Sequence, residues 1–122
     1  MRTLFLMVVI TILLLIATFL VKIARAETAS WYSQKEFKMC MANGEVFNEN
    51  NDTCASWFYP FGTQLKVTNE ETGAFVITTV TDRGPAKRLV KEGRVIDLSR
   101  GAFNKICPLE KGLCPVKLEV IR

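Results

Sequence analysis

The sequence contains no histidine, and its 122 residues include four cysteines. Histidine is the commonest metal ligand in proteins and the side chain that most readily exchanges a proton near neutral pH. The spacings between the cysteines do not match those of a zinc site. We therefore predict neither a metal site nor a bound cofactor.

Beyond its first 26 residues the chain also lacks an excess of charge of one sign. It has 16 basic and 12 acidic residues, but Arg2, Lys22 and Arg25 lie in that first segment, which leaves 13 basic residues against 12 acidic ones. A nearly neutral domain has no basic footprint for phosphate backbones. We therefore exclude nucleic acid as a partner and expect a monomer.

A long apolar segment opens the chain, running from Leu4 to Val21 and ending before Ala24-Arg25-Ala26, a small-x-small cleavage pattern. We interpret residues 1–26 as a secretory signal peptide and residues 27–122 as the mature domain. The apolar segment is close to a spanning length, so an uncleaved membrane anchor over residues 4–21 is the alternative. Both interpretations predict an exported domain, periplasmic or secreted, with membrane contact confined to this segment.

All the cysteines lie in the mature domain, at Cys40, Cys54, Cys107 and Cys114. An even count in a short exported domain implies disulfides. Of the three possible connectivities we favour pairing of sequence neighbours, Cys40 with Cys54 and Cys107 with Cys114. Each of these pairs would close a short loop around turn-like residues.

The mature domain reads as mainly β, because short β-branched and aromatic runs alternate with Gly, Asn and Pro. The stretch 29–33 is a first strand, with Trp31 on one face and Ser30 and Tyr32 on the other. Residues 39–53 read as a loop with a short strand at most. A hairpin follows, in which residues 65–68 and 74–81 flank a polar turn at 69–73.

The second arm of that hairpin is apolar or β-branched throughout, which predicts a strand covered on both faces inside a barrel. The charged stretch 86–93 reads as a solvated loop or helical turn. Residues 95–98 form a short strand, after which Ser99 caps a helix over 100–106. The alternation of Val116, Leu118 and Val120 predicts a closing strand with one buried face.

Four motifs of the mature domain, taken in order, resemble the rare lipoprotein A family. They are "ASWYS" at 29–33, "TCASWFYPFGTQLKVTNEETG" at 53–73, "DRGP" at 82–85 and "VIDLSRGAF" at 95–103. The resemblance implies a six-stranded double-psi β-barrel with one or two short helices. It also implies the activity of a lytic transglycosylase, which cleaves the MurNAc–GlcNAc bond of peptidoglycan and leaves an anhydro sugar.

The resemblance assigns roles to individual positions of this sequence. Asp82, in the Asp-Arg-Gly-Pro motif, falls on the family's general acid, and Asp97 falls near the acid of related endoglucanases and expansins. Family members commonly carry a catalytic-site His where this chain has Ser56. That helper is therefore replaced by another residue or lost.

Glycosidic cleavage requires a carboxylic acid that is still protonated near neutral pH. We predict this role for Asp82, although an Asp before Arg-Gly-Pro could instead accept backbone N–H bonds in the turn. For Asp97 we favour a structural role, either holding the start of the helix or pairing with Arg88 or Arg94. Arg83, on the opposite face from Asp82, would bind substrate or tie down the loop.

Aromatic residues of the mature domain could line a sugar groove or fill the core. We place Trp31 and Phe61 in the core and Trp57 and Tyr59 at the groove. Three functions stay open, namely a lytic transglycosylase acting through Asp82, a non-catalytic expansin-like module that binds or loosens the wall, and a hydrolase. Only the hydrolase needs a second carboxylate to activate water, and Asp97 is the candidate.

Overall fold

The computed structural model describes residues 1–24, 27–35 and 40–122. Over these ranges it contains a long N-terminal helix, a six-stranded barrel, two short helices and a 3-10 turn at Leu109–Lys111. The helices are α1 (Arg2–Ala24), α2 (Lys87–Val90) and α3 (Arg100–Ile106). The strands are β1 (Thr28–Tyr32), β2 (Thr53–Ala55), β3 (Gln64–Asn69), β4 (Phe75–Asp82), β5 (Arg94–Ser99) and β6 (Cys114–Val120).

The strands close into a barrel in the order β1-β5-β2-β4-β3-β6, with β6 returning to β1. The pairs β1–β5 and β2–β4 are parallel, and the other four pairs are antiparallel. Parallel neighbours need crossover connections, which here carry the chain over the barrel ends. This is the double-psi barrel that the motifs predicted.

The barrel interior is packed with aliphatic side chains, and α3 covers one opening with Phe103. The predicted hairpin is confirmed, since β3 and β4 pair from Gln64 to Thr68 with a turn beyond Asn69. The helix after Ser99 is confirmed as well. The Ser99 hydroxyl accepts a hydrogen bond from the Ala102 amide (3.2 Å) and donates to the Asn51 carbonyl (2.6 Å).

Strand β4 does not have the two covered faces that its composition predicted. Val76, Thr78 and Val80 point inward, whereas Phe75 and Ile77 are 54% and 43% exposed. A closed barrel has one interior, so alternate residues of each strand must face outward. β-branched side chains favour extended backbone whether or not they are buried, which is why composition misled here.

Two further predictions about the core are wrong. Phe61 is exposed rather than buried, and Val120 near the end of β6 is exposed where an inward position was expected. Trp31 is half-buried against the core, and its indole N–H donates to the Leu109 carbonyl at 3.0 Å.

The remaining elements match their predictions in part. From residue 40 the segment before β2 is a loop with one isolated bridge between Cys40 and Val46, but β2 itself was not foreseen. Position 39 and the cleavage point after position 26 lie outside the described residues. Among the residues that are described, no helix combines the length and the apolar character needed to cross a membrane.

Candidate active site

A groove of about 290 Å³ opens on the barrel between the ends of β1, β2 and β4. Strand β2 lies between β4 and β5, and its last residue, Ala55, pairs with Asp82 on one side and Asp97 on the other. Two strand spacings place the Cα atoms of the aspartates about 10 Å apart. Because the Ala55 side chain is small, both carboxylates can reach the groove, which is lined by Tyr32, Ala55, Asp82, Arg83 and Asp97.

Backbone groups hold Asp82. Its Oδ1 atom accepts hydrogen bonds from the amides of Ala42 (2.9 Å) and Arg83 (2.8 Å). Its carbonyl accepts from the Ser56 amide at 3.1 Å. The turn role that was the alternative for this residue is therefore present, and it leaves Oδ2 as the oxygen that these amides do not hold.

Side chains hold Asp97. The Ser30 hydroxyl donates to Oδ1, the Arg94 guanidinium lies 3.8 Å from the same oxygen, and Arg94 Nε donates to Ser30 at 2.7 Å. Burial raises the pKa of the Asp97 carboxyl, while the Ser30 hydrogen bond and the Arg94 charge lower it. The predicted pairing with Arg94 is present, whereas the helix start is held by Ser99 and not by Asp97.

Tyr32 lines the groove together with the two aspartates and was not foreseen as a site residue. Its ring stacks on Phe47, with centroids 4.5 Å apart and planes inclined by 16°. Burial raises the pKa of the Tyr32 phenol, and the carboxylate of Asp82 raises it further. The alternation that placed Tyr32 with Ser30, opposite Trp31, was the signal that could have found it.

Arg83 is committed to the loop that follows β2. Its Nη1 atom donates to the carbonyls of Ser56 and Tyr59, each at 2.8 Å. The guanidinium carbon lies 3.9 Å from the centroid of the Phe61 ring. Of the two roles considered for Arg83, tying down the loop is the one that the contacts support.

Ser56, the position at which the motif resemblance implies a His, contributes no group to the groove. Ser56 is fully buried, and its hydroxyl accepts a hydrogen bond from the Phe58 amide at 3.1 Å. Tyr59 is half-buried against the core. Trp57 is 43% exposed and is fixed beside the Asp82 segment, because its indole N–H donates to the Pro85 carbonyl at 2.6 Å.

A second cleft of about 540 Å³ is lined in part by Phe61. Its lining includes the polar side chains of Asn43, Glu45 and Thr79. The backbone at 42–43 connects this cleft with the groove, since the Ala42 amide donates to Asp82 of the groove and Asn43 lines the cleft.

All four cysteines are free thiols in the structure. Burial raises the pKa of Cys54 to about 11 and that of Cys114 to about 12, and the neighbouring Cys107 thiol also raises the latter. Cys107 and Cys114 are thus adjacent, as their predicted pairing requires. In the described ranges no cluster of three or more His, Cys, Asp or Glu side chains could hold a metal ion.

Sequence comparison relates the chain to wall-cleaving proteins. It is 40% identical over 102 residues to the probable endolytic peptidoglycan transglycosylase RlpA of Synechocystis sp.. That alignment covers 84% of this chain and 30% of the relative's length.

Solved structures agree on the fold. The Streptomyces papain inhibitor superimposes with a TM-score of 0.62 at 22% identity, covering 80% of this chain and 93% of that one. An expansin variant of Clavibacter michiganensis in complex with cellohexaose gives a TM-score of 0.60 at 20% identity, covering 80% of this chain and 50% of the expansin.

The family described as lytic transglycolase matches residues 24–118, which takes in β1 to β5 and most of β6. Asp82 and Asp97, which the motifs singled out, converge in the groove of that barrel. The chain therefore belongs to the lytic transglycolase family, as its resemblance to the rare lipoprotein A proteins predicted.

Proposed function

We propose that this protein is an exported lytic transglycosylase, a lyase that cleaves the MurNAc–GlcNAc bond of peptidoglycan and leaves anhydro-MurNAc ends. The observation that carries the proposal is the convergence of Asp82 and Asp97 in one groove of a barrel from the lytic transglycolase family. The chain spans 30% of the Synechocystis relative. The activity is thus proposed for the barrel domain itself.

Asp82 is the general acid in this proposal. Its protonated carboxyl gives a proton to the glycosidic oxygen as the bond to the anomeric carbon breaks. A hydroxyl of the same sugar attacks that carbon and returns its proton to the Asp82 carboxylate. The reaction needs no water and no second carboxylate, because the proton that Asp82 gives to the leaving oxygen is replaced by the proton of the attacking hydroxyl.

Asp97 supports this reaction from the other side of β2. Its negative charge lies near the anomeric carbon that becomes electron-poor, and preorganised charge of this kind stabilises such transition states. Ser30 and Arg94 fix its orientation. A direct role for Asp97 as a base for water would make the enzyme a hydrolase instead.

Aromatic and polar surface beside the groove fits a glycan strand. Trp57 exposes part of a flat ring next to Pro85, and such rings stack on pyranose faces. Lys87 lies 4.9 Å from the same ring centroid, so a sugar would occupy the uncovered side. The cleft at Asn43 and Glu45 gives a polymer room to continue beyond the reacting bond.

Export and disulfide formation complete the proposal. Residues 1–26 act as a signal peptide, or residues 4–21 remain as an anchor, and the barrel works in the periplasm or outside the cell. In that oxidising compartment Cys107 and Cys114, which already lie side by side, form one disulfide, and Cys40 and Cys54 form the other. Peptide mapping of the secreted protein without reduction tests both the cleavage point and the pairing.

An expansin-like module that binds glycan without cleaving it is the second candidate. Two observations favour it, namely the buried Ser56 where relatives carry His, and the similarity of the barrel to an expansin solved with cellohexaose. In this case the groove would hold a strand and loosen its packing in the wall.

Incubation of the exported protein with peptidoglycan, both intact and stripped of stem peptides, separates the candidates by product mass. Anhydro ends that disappear in Asp82→Asn support the lytic transglycosylase, and hydrated reducing ends support the hydrolase. Sedimentation with the wall but no released product supports the expansin-like module. Full activity in Asp82→Asn would remove Asp82 from the mechanism.

A further inference from the structure

The motif resemblance implies a group that assists Asp82, and Ser56, the position at which it implies that group, does not supply one. Ser56 is buried, and its hydroxyl is engaged by the Phe58 amide. Arg83 lines the groove, but its guanidinium is engaged with the Ser56 and Tyr59 carbonyls. Among the residues that line the groove, Tyr32 is the one with a neutral O–H group.

Tyr32 is well placed for this task. It shares a face of β1 with Ser30, so both side chains project toward the aspartates and Trp31 projects away from them. Stacking on Phe47 restricts rotation of the phenol ring. Burial and the nearby carboxylates raise the phenol pKa, so the hydroxyl keeps its proton throughout the range in which carboxylic acids titrate.

The geometry points to Tyr32 as a positioning residue that donates its phenolic hydrogen to Oδ2 of Asp82 and so takes over the assisting role of the missing His. The Ala42 and Arg83 amides hold Oδ1. With the phenol on Oδ2, the plane of the carboxyl is fixed on both sides. This inference rests on the proposed transglycosylase activity, and it names the residue that makes the single acid effective.

Tyr32 acts without losing its own proton. When Asp82 protonates the leaving oxygen, a carboxylate forms, and hydrogen bonds to a charged oxygen are stronger than those to a neutral one. The phenol therefore stabilises the state that follows proton transfer. When the attacking sugar hydroxyl returns a proton to Asp82, the original state is restored. Atoms and charge balance, and no co-reactant is required.

The test replaces Tyr32 by Phe, which keeps the ring on Phe47 and removes only the hydroxyl. We expect kcat for release of anhydro ends to fall by about 10- to 100-fold, with KM unchanged, because the lost bond strengthens only as charge develops. Thr78→Val, which removes a hydroxyl inside the barrel that does not line the groove, is the matched control and should retain wild-type kinetics. An unchanged kcat in Tyr32→Phe would overturn the inference while leaving the transglycosylase intact.

A second measurement does not depend on turnover. Urea unfolding of Tyr32→Phe, Asp82→Ala and the double variant measures whether the two side chains interact. Each substitution lowers the folding equilibrium constant by some factor. If the two side chains interact, the factor for the double variant is smaller than the product of the two single factors, by about fivefold or more. Equality with the product would overturn the inference. A coupled pair in a wild-type protein that releases no product would instead contradict the proposed function and leave the Tyr32–Asp82 contact supported.

Discussion

Asp82 and Asp97 face one groove from opposite sides of β2, but different parts of the chain hold them. Asp82 stands at the end of β4 and is fixed by backbone amides of neighbouring turns. Asp97 lies within β5, its side chain is 19% exposed, and it is fixed by Ser30 and Arg94. Asp82 therefore depends on the backbone conformation of the turns around it, whereas Asp97 depends on two particular side chains.

Backbone amides orient the Asp82 carboxyl without placing a full charge beside it. Asp97 carries a desolvation cost when it is ionised, which its partners offset only in part, as its raised pKa indicates. A raised pKa is also what a general acid requires. The motif resemblance therefore points to Asp82 as the acid and the raised pKa points to Asp97, and the substitutions below decide between them.

The largest effect is expected for Asp82→Asn. Removing the proton donor should lower the rate of anhydro-end release by about 100- to 10,000-fold, while the amide oxygen keeps the bonds to the Ala42 and Arg83 amides. Rates measured by mass spectrometry of released fragments check this. Asp52→Asn, which removes a partly exposed carboxylate paired with Lys105 at 2.7 Å, is the control and should leave the rate of cleavage unchanged. If Asp97→Asn abolished cleavage and Asp82→Asn did not, the roles of the two aspartates would be reversed.

Arg83→Ala tests whether the turn that carries Asp82 depends on its neighbouring loop. The variant loses two charge-assisted hydrogen bonds to the loop after β2 and the contact with Phe61, so we expect a loss of about 2 kcal/mol in the free energy of unfolding. Amide hydrogen exchange should rise across residues 56–61. Arg83→Lys keeps the charge but cannot bridge both carbonyls in the same way, and it should recover only part of the loss. Unchanged exchange in Arg83→Ala would show that the loop at 56–61 keeps its conformation without the Arg83 contacts.

Asp97→Asn tests the desolvation cost through pH. Because the folded pKa lies above the ordinary value of 3.8, the stability that this group contributes is present at low pH and is lost as pH rises through the folded pKa. The free energy of unfolding of the wild type should therefore fall relative to that of Asp97→Asn as pH rises from 3.8 through the folded pKa. Ser30→Ala, which removes the bond that lowers the pKa, should move this loss to higher pH. A difference that is constant with pH would mean that Asp97 titrates as it does in the unfolded chain.

The smallest effect is expected for Ser56→Ala. The change removes one hydrogen bond, from the Phe58 amide, and should cost about 1 kcal/mol in the free energy of unfolding. Cleavage should be unaffected, because the hydroxyl does not reach the groove. Parallel melts and product assays measure both quantities. A large loss of cleavage without a loss of stability would place Ser56 in the chemistry.

Local pattern was sufficient to predict the hairpin, the charged turn at α2 and the helix that begins at Ser99, since turn residues, charge and capping chemistry act over a few positions. It failed where burial depends on the closed barrel, as at Phe61, Ile77 and Val120. Nothing in the run from 75 to 81 tells which residues face outward. That information comes from pairing with strands far away in sequence.

The candidate site, like the fold, could be predicted only in part from the sequence. The motif resemblance identified Asp82 and Asp97, but their meeting across Ala55 depends on a parallel pair and an antiparallel pair that share β2. Tyr32 was placed on the correct face of its strand and yet not connected to the site, because the two aspartates of the groove come from the other half of the chain. For Arg83 the sequence left two roles open, binding substrate or tying down the loop. Its hydrogen bonds to the loop carbonyls support the second role.

The barrel closes only when β1 lies between β5 and β6, where Thr28 pairs with both Arg94 and Pro115. The groove takes one residue or more from each of β1, β2, β4 and β5, so no single hairpin contains it. Long-range pairing of this kind forms late and slowly during folding. Under the proposed function, a chain whose barrel has not closed would lack an assembled groove, and the onset of glycan cleavage would report the closing of the barrel.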